Sequence, residues 1–142
     1  AVVWVDGILP AGSAGWTDDV HRPMVWFGEC LAAAFAQVGV GGTAVHDGAM
    51  ISTAASQLVC FDGLGPGELT LDGAKLVGIS QRRTRSAARL QACWYTNYDA
   101  ELLPRLLRAE IEVGTLRPVA TVGSPAALDV TARLADSLSG AT

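Results

Sequence analysis

Lysine is nearly missing from this sequence: Lys75 is its only copy, and arginine fills every other basic position. Positive charge in general is scarce, ten basic residues against fourteen acidic ones for a net charge of −4. That balance argues against a general nucleic-acid binder, whose footprint is basic overall. Cysteine is sparse as well. Cys30, Cys60 and Cys93 are an odd number at wide spacing, without a CxxC or a Cys/His grouping. Such a pattern excludes the usual zinc sites and predicts reduced thiols in a cytoplasmic protein, with no metal ligands. The two histidines, His21 and His46, have no serine or cysteine at motif spacing, so neither is expected to act as a catalytic base. No apolar run approaches the length of a membrane span, the helical stretch near 24–38 being interrupted by Gly28 and Glu29. No signal-peptide pattern, internal repeat or low-complexity tract is present.

What is there is apolar. Half of the residues are hydrophobic and 17% are charged, over a length suited to one globular domain. Residues 2–5 read as a short buried strand, and Leu9 to Gly15 as a loop. Asp18 and Asp19 stand where carboxylates would favour the positive end of the following helix, expected from about Pro23 to Val38 on the spacing of Phe27, Leu31, Ala34, Phe35 and Val38. Thr43–His46 and Leu58–Phe61 read as brief strands. Leu90, Ala92 and Trp94 alternate with Gln91, Cys93 and Tyr95 within a strand expected over 88–96. Asp99 is placed to cap a helix through Leu107, with Pro104 tolerated in its early turns. Residues 114–123 read as a linker. A last helix is expected from Ser124 to Leu138, with Leu128, Ala132 and Ala135 as one apolar stripe and Leu134 and Leu138 beside it, ending at Ser139-Gly140-Ala141. The order predicts an α+β fold: a mixed, largely antiparallel sheet flanked by helices.

The chain is organised around Glu68–Arg83. Leu69 and Leu71 precede an Asp72-Gly73 pair, a strong signal for a two-residue hairpin, and Lys75 follows the turn directly. Gly78 interrupts the second strand, where glycine marks a bulge or a close approach. Arg82, Arg83, Arg85 and Arg89 follow. An ammonium, a bare backbone and a guanidinium cluster together suit an anionic, acyl-bearing ligand. The plain alternative is a surface lysine at a hairpin end beside solvated arginines.

The run Leu71-Asp72-Gly73-Ala74-Lys75-Leu76-Val77-Gly78-Ile79-Ser80-Gln81 resembles the DGxKxxGxxQ segment of the lipoate–protein ligase and octanoyltransferase superfamily. Cys60-Phe61, the glycine-rich loop before Glu68-Leu69, and the Trp4–Val20 stretch are similar to members of that group; the likeness covers most of residues 2–110. Its implied fold is that of biotin–protein ligases, related to the core of class II aminoacyl-tRNA synthetases. The implied activity is ATP- and magnesium-dependent ligation of lipoate, or transfer of octanoate, to a lysine of a lipoyl-carrier domain or glycine-cleavage carrier protein. Lys75 would contact the activated acyl oxygen. Asp72, Gly73, Gly78, Ser80 and Gln81 would bind substrate. Cys60 is similar to the nucleophilic cysteine that precedes a phenylalanine in some octanoyltransferases, which work through a thioester without ATP; its plain alternative is a packed core thiol. The arginine- and glycine-rich motif of the ligases has no counterpart, and Gln91-Ala92-Cys93-Trp94 stands where relatives often show His-Gly. With the strand-like opening Ala1–Val5, this predicts that residues 1–142 are a single partial catalytic domain lacking its N-terminal portion. That missing segment or a partner chain would complete it, unless the chain is a non-catalytic accessory of a split ligase.

Overall fold

The computed structural model describes residues 1–139. Five strands form one sheet: β1 (Val2–Pro10), β2 (Thr43–Val45), β3 (Leu69–Leu71), β4 (Ala74–Arg83) and β5 (Ala87–Tyr95). They lie in the order β1-β5-β4-β3-β2, and every strand pairing is antiparallel. Helices α1 (His21–Gln37), α2 (Leu103–Leu107) and α3 (Ser124–Ser139) complete the α+β architecture expected from the sequence. The notch between β4 and β5 beyond Gly78↔Cys93 is filled by residues 118–122, which make parallel bridges from Val119 to Lys75 and from Thr121 to Tyr95. The stretch read as a linker is therefore hydrogen-bonded into the sheet.

One face of the sheet carries the core. Leu90, Ala92 and Trp94 alternate inward on β5 as expected, under Phe27, Leu31 and Phe35 of α1 and Ala127, Val130 and Leu134 of α3. Phe35 meets Trp94 edge to face at 5.4 Å. Each of these large side chains contributes about 1.5–3 kcal/mol by leaving water. On α3 the expected stripe is out of phase: Leu128 is 62% exposed, and the buried line is Ala127, Val130 and Leu134, so that of the expected leucines Leu134 and Leu138 face the core and Leu128 does not. The helix is rotated so that Ala127, a small residue, is fully buried where α1 and α3 pack together. The expected stop at Gly140-Ala141 lies outside the described residues.

Other departures have local causes. The first strand runs to Pro10 rather than Val5, because β1 is an edge strand, where a proline at the last position removes no ladder bond that the sheet needs. Cys60–Asp62 is a 3-10 turn and not a strand. Asp19 receives the His21 N–H at 2.8 Å, so a carboxylate does sit at the start of α1. Asp99 receives the Glu101 N–H at 3.0 Å and starts the 3-10 turn (Ala100–Leu102) that leads into α2.

Gly28 is not an interruption of α1. It is a buried contact point: a methyl group there would run into the Gly67 carbonyl, and Gly67 itself takes φ +82° against the Met24 carbonyl. Helix propensity alone favours Gly28→Ala by about 1 kcal/mol. The contact predicts the opposite sign, a loss of about 1–3 kcal/mol from overpacking, read as a lower urea midpoint. A raised midpoint would mean that α1 and the Gly67 turn do not touch.

Candidate functional site

The second face of the sheet is open. On it stand Val2, Trp4, Asp6 and Ile8 of β1, opposite Tyr95, Cys93, Gln91 and Arg89 of β5, with Gly78, Ser80 and Arg82 of β4 beyond them. The loop carrying Leu58–Phe61 and the turn of α2 rise over one end and enclose a cleft of about 350 Å³. Its walls are chiefly apolar, from Trp4, Leu58, Phe61, Leu103 and Leu107, and its floor includes Gly78, Ser80 and Cys93.

Lys75 stands at the inner end of this cleft. The turn behind it is as the sequence predicts, with Asp72 at φ 50° and Gly73 at φ 81°. Lys75 is nonetheless not a surface residue: it is 1% exposed. Its Nζ lies 2.7 Å from Glu68 Oε2 and donates to the Gly63 carbonyl at 2.7 Å. The Phe61 ring faces it at 4.7 Å. Glu68 is equally well held, accepting the Gly65 N–H at 2.6 Å and the Ile79 N–H at 2.9 Å. A buried ion pair of this kind is tolerated because every strong acceptor has a donor.

Strict alternation would put Lys75 and Gly78 on opposite faces of β4. The ladder prevents this: Thr70 opposes Lys75 but Leu69 opposes Val77, so Leu76 is an extra residue. The bulge turns Lys75 towards the same cleft as Gly78. A methyl on Gly78 would come within 2.8 Å of the Phe61 ring. The bare backbone of Gly78 therefore makes room for Phe61, which in turn covers Lys75.

Aromatic rings continue outward from there. Phe61 meets Tyr95 edge to face at 5.1 Å, and Tyr95 meets Tyr98 at 4.9 Å. Cys60 is exposed and Cys93 half-buried, both lining the cleft. Burial pushes the Cys93 thiol up, with the Lys75 charge pulling it partly back. The Cys60 turn is held from behind by Asp62, which is 2% exposed; it accepts from the Thr53 hydroxyl and from the Arg117 N–H, and its own carbonyl accepts from Arg117 Nε at 3.0 Å.

Of the residues singled out from the sequence, Lys75, Cys60, Gly78 and Ser80 come together around the cleft. Asp72 and Gly73 form the turn and do not line it, and Gln81 faces a separate hollow with His21 and Arg83. Cys30 lies partly buried against the core. Glu68, Phe61, Tyr95 and Tyr98 are additions that the sequence reading missed. Glu68 had a signal: across a two-residue turn Lys75 opposes Thr70, and Glu68 is two residues further on Thr70's face. The arginine cluster divides. Arg83 donates to the Thr17 and Asp19 carbonyls and stacks on Trp16 at 4.2 Å, and Arg89 pairs with Asp6 at 2.9 Å. Among the described residues no group of three or more His, Cys, Asp or Glu side chains is placed to hold a metal ion.

A buried pair makes truncation of one partner costly. Lys75→Met should lower stability by about 3–5 kcal/mol, because Glu68 is left charged and unpaired, and Glu68→Gln in the same chain should recover most of it. A Lys75→Met single variant as stable as wild type would refute the pair. Iodoacetamide near pH 7.5 should modify Cys60 before Cys93, as peptide mass spectrometry reads out; equal rates would contradict the burial of Cys93.

No family model and no curated protein matches the sequence. Among solved structures two chains match. One is an arginine-to-glycine mutant of the biotin protein ligase from Aquifex aeolicus in complex with biotin, with a TM-score of 0.49 and 10% identity over 97% of this chain. The match covers 50% of that ligase, so the chain spans about half its length.

Proposed function

We propose that the cleft is the acyl-handling site of a lipoate–protein-ligase-type enzyme, in which an activated lipoyl or octanoyl group passes to a carrier-domain lysine in the cytoplasm. The observation that carries this reading is a buried, ion-paired ammonium at the head of an apolar cleft. A purely structural pair needs no cleft beside it, whereas Lys75 and Glu68 both line this one. An ammonium has three N–H donors. Glu68 and the Gly63 carbonyl take two. The third serves the acyl oxygen.

The carrier amine attacks the acyl carbon; a C–N bond forms, the bond to the leaving group breaks, and the amine gives up a proton. Negative charge develops on the carbonyl oxygen as this happens, and a cation already fixed by its partners stabilises it without having to reorganise. Apolar walls at Leu58, Leu103 and Leu107 suit an aliphatic chain. The described residues do not fit a magnesium–triphosphate site: Arg83, Arg89 and Arg117 are tied to the protein's own groups, Arg82 and Arg85 do not line the cleft, and among the described residues no group of three or more His, Cys, Asp or Glu side chains is placed to hold a metal ion. In this reading the ATP and magnesium that the family resemblance implies have no holding residues among those described.

The exposure of Cys60 within the cleft favours one other reading, a cysteine-dependent octanoyltransferase. The Cys60 thiolate would take the acyl group from a thioester donor, releasing the donor thiol, and the carrier amine would then displace Cys60.

Two measurements separate these. Lipoate-dependent ATP–pyrophosphate exchange is expected of the ligase and not of the transferase. Octanoyl transfer from a thioester, lost in Cys60→Ala, is expected only of the transferase. In either case the Glu68→Gln/Lys75→Met double variant, which keeps the site neutral and packed, should lose carrier acylation by about 100-fold or more. Acylation near the wild-type rate in that folded variant would remove Lys75 from the chemistry.

A further inference from the structure

The arginines that the site leaves unused lie on the same open face as the cleft. Arg82 is directly opposite Arg89 across β4 and β5, and both are exposed. Like charges directly opposed on a sheet are unfavourable. Asp6 balances only one of them, through Arg89 Nε. Arg82 has no ion pair among the described residues, and neither does Arg85 in the adjoining turn. Among the described residues no acidic partner accounts for this excess of positive charge, in a chain whose net charge is −4.

Its position is specific. Gly78 and Cys93 on the cleft floor, then Ser80 and Gln91, then Arg82 and Arg89 are successive cross-strand pairs on one face. Gly78 and Arg82 are four residue steps apart along the strand, about 13 Å. Exposed apolar surface runs beside them on β1, with Trp4 57% and Ile8 63% exposed. Basic side chains flanked by exposed aromatic and aliphatic ones, continuous with a cleft, describe a protein-docking surface rather than a solvated strand end.

We propose that Arg82, with Arg85 and the outer edge of Arg89, docks an acidic protein domain whose lysine enters the cleft. The occupant is chosen by charge complementarity: carboxylates flanking the target lysine would meet the arginines while the lysine reaches past Ser80 towards Lys75. A general polyanion would use the charges and leave Trp4 and Ile8 uncovered. The docking role rests on the acyl-transfer reading for its purpose, but not for its test.

The test is direct binding of an unlipoylated lipoyl-carrier domain with acidic residues around its lysine, titrated by calorimetry without any acyl donor. Arg82→Glu should weaken binding at least tenfold, Arg82→Lys should restore most of it, and raising salt from about 50 to about 500 mM should weaken the wild type but hardly affect Arg82→Glu. Neutralising the flanking carboxylates of the carrier should mimic Arg82→Glu. Equal affinities of wild type and Arg82→Glu overturn the docking role. So does equal or tighter binding of a single-stranded oligonucleotide at the same patch. Carrier binding that follows these rules while no acyl donor is ever used would instead sink the acyl-transfer reading and leave the docking surface standing.

Discussion

The Glu68–Lys75 ion pair is the interaction on which the site depends. Its two residues come from opposite sides of one hairpin, and its remaining bonds reach the Gly63–Gly65 loop and the backbone of β4 at Ile79. A charge removed from water has to be matched on all sides, so these partners fix one another's places. The hairpin, the glycine-rich loop and Phe61 are thereby a single unit. The Phe61 ring rests on Gly78 and faces Lys75, and Cys60 beside it is carried to the edge of the cleft.

Around that unit the sheet is two-sided in a useful way. The face under α1 and α3 is a packed core, closed by Phe27, Leu31, Phe35 and Trp94. The opposite face is open, covered by short pieces: the Cys60 turn, held by Asp62 against Arg117, and α2, started by Asp99. The packed core and the open cleft thus occupy different faces of the same strands. On β5 from Leu90 to Tyr95, successive residues belong alternately to the core and to the cleft. Among the described residues no helix is long and apolar enough to cross a membrane.

Legibility in the sequence followed the range of the forces involved. The Asp72-Gly73 turn, the alternation of Leu90, Ala92 and Trp94, and the Asp99 cap depend on neighbours within a few residues, and each was readable. The phase of α3 was not, because apolar residues at 127, 128, 130 and 134 allow two stripes and only packing against α1 and the sheet selects one. Cys60-Phe61 looked like a strand because both residues are apolar; the demand of Asp62 for Thr53 and Arg117 bends the segment instead. The solitary lysine drew notice by its rarity, yet its burial could not be inferred, since a lysine after a tight turn is ordinarily solvated.

By itself the sequence determined the α+β class, the central hairpin and the place of the single lysine just after its turn, because periodicity, turn chemistry and composition are local properties. Tertiary structure alone decided that Lys75 is buried and paired, that the bulge at Leu76 brings it to the face of Gly78, and that Arg82 and Arg89 stand beside the same cleft. The physical reason is that burial and facing depend on strand register and on what packs above the sheet, and these are set by residues far apart in the chain, fifty-five positions for Asp62 and Arg117 and eighty-three for Asp6 and Arg89.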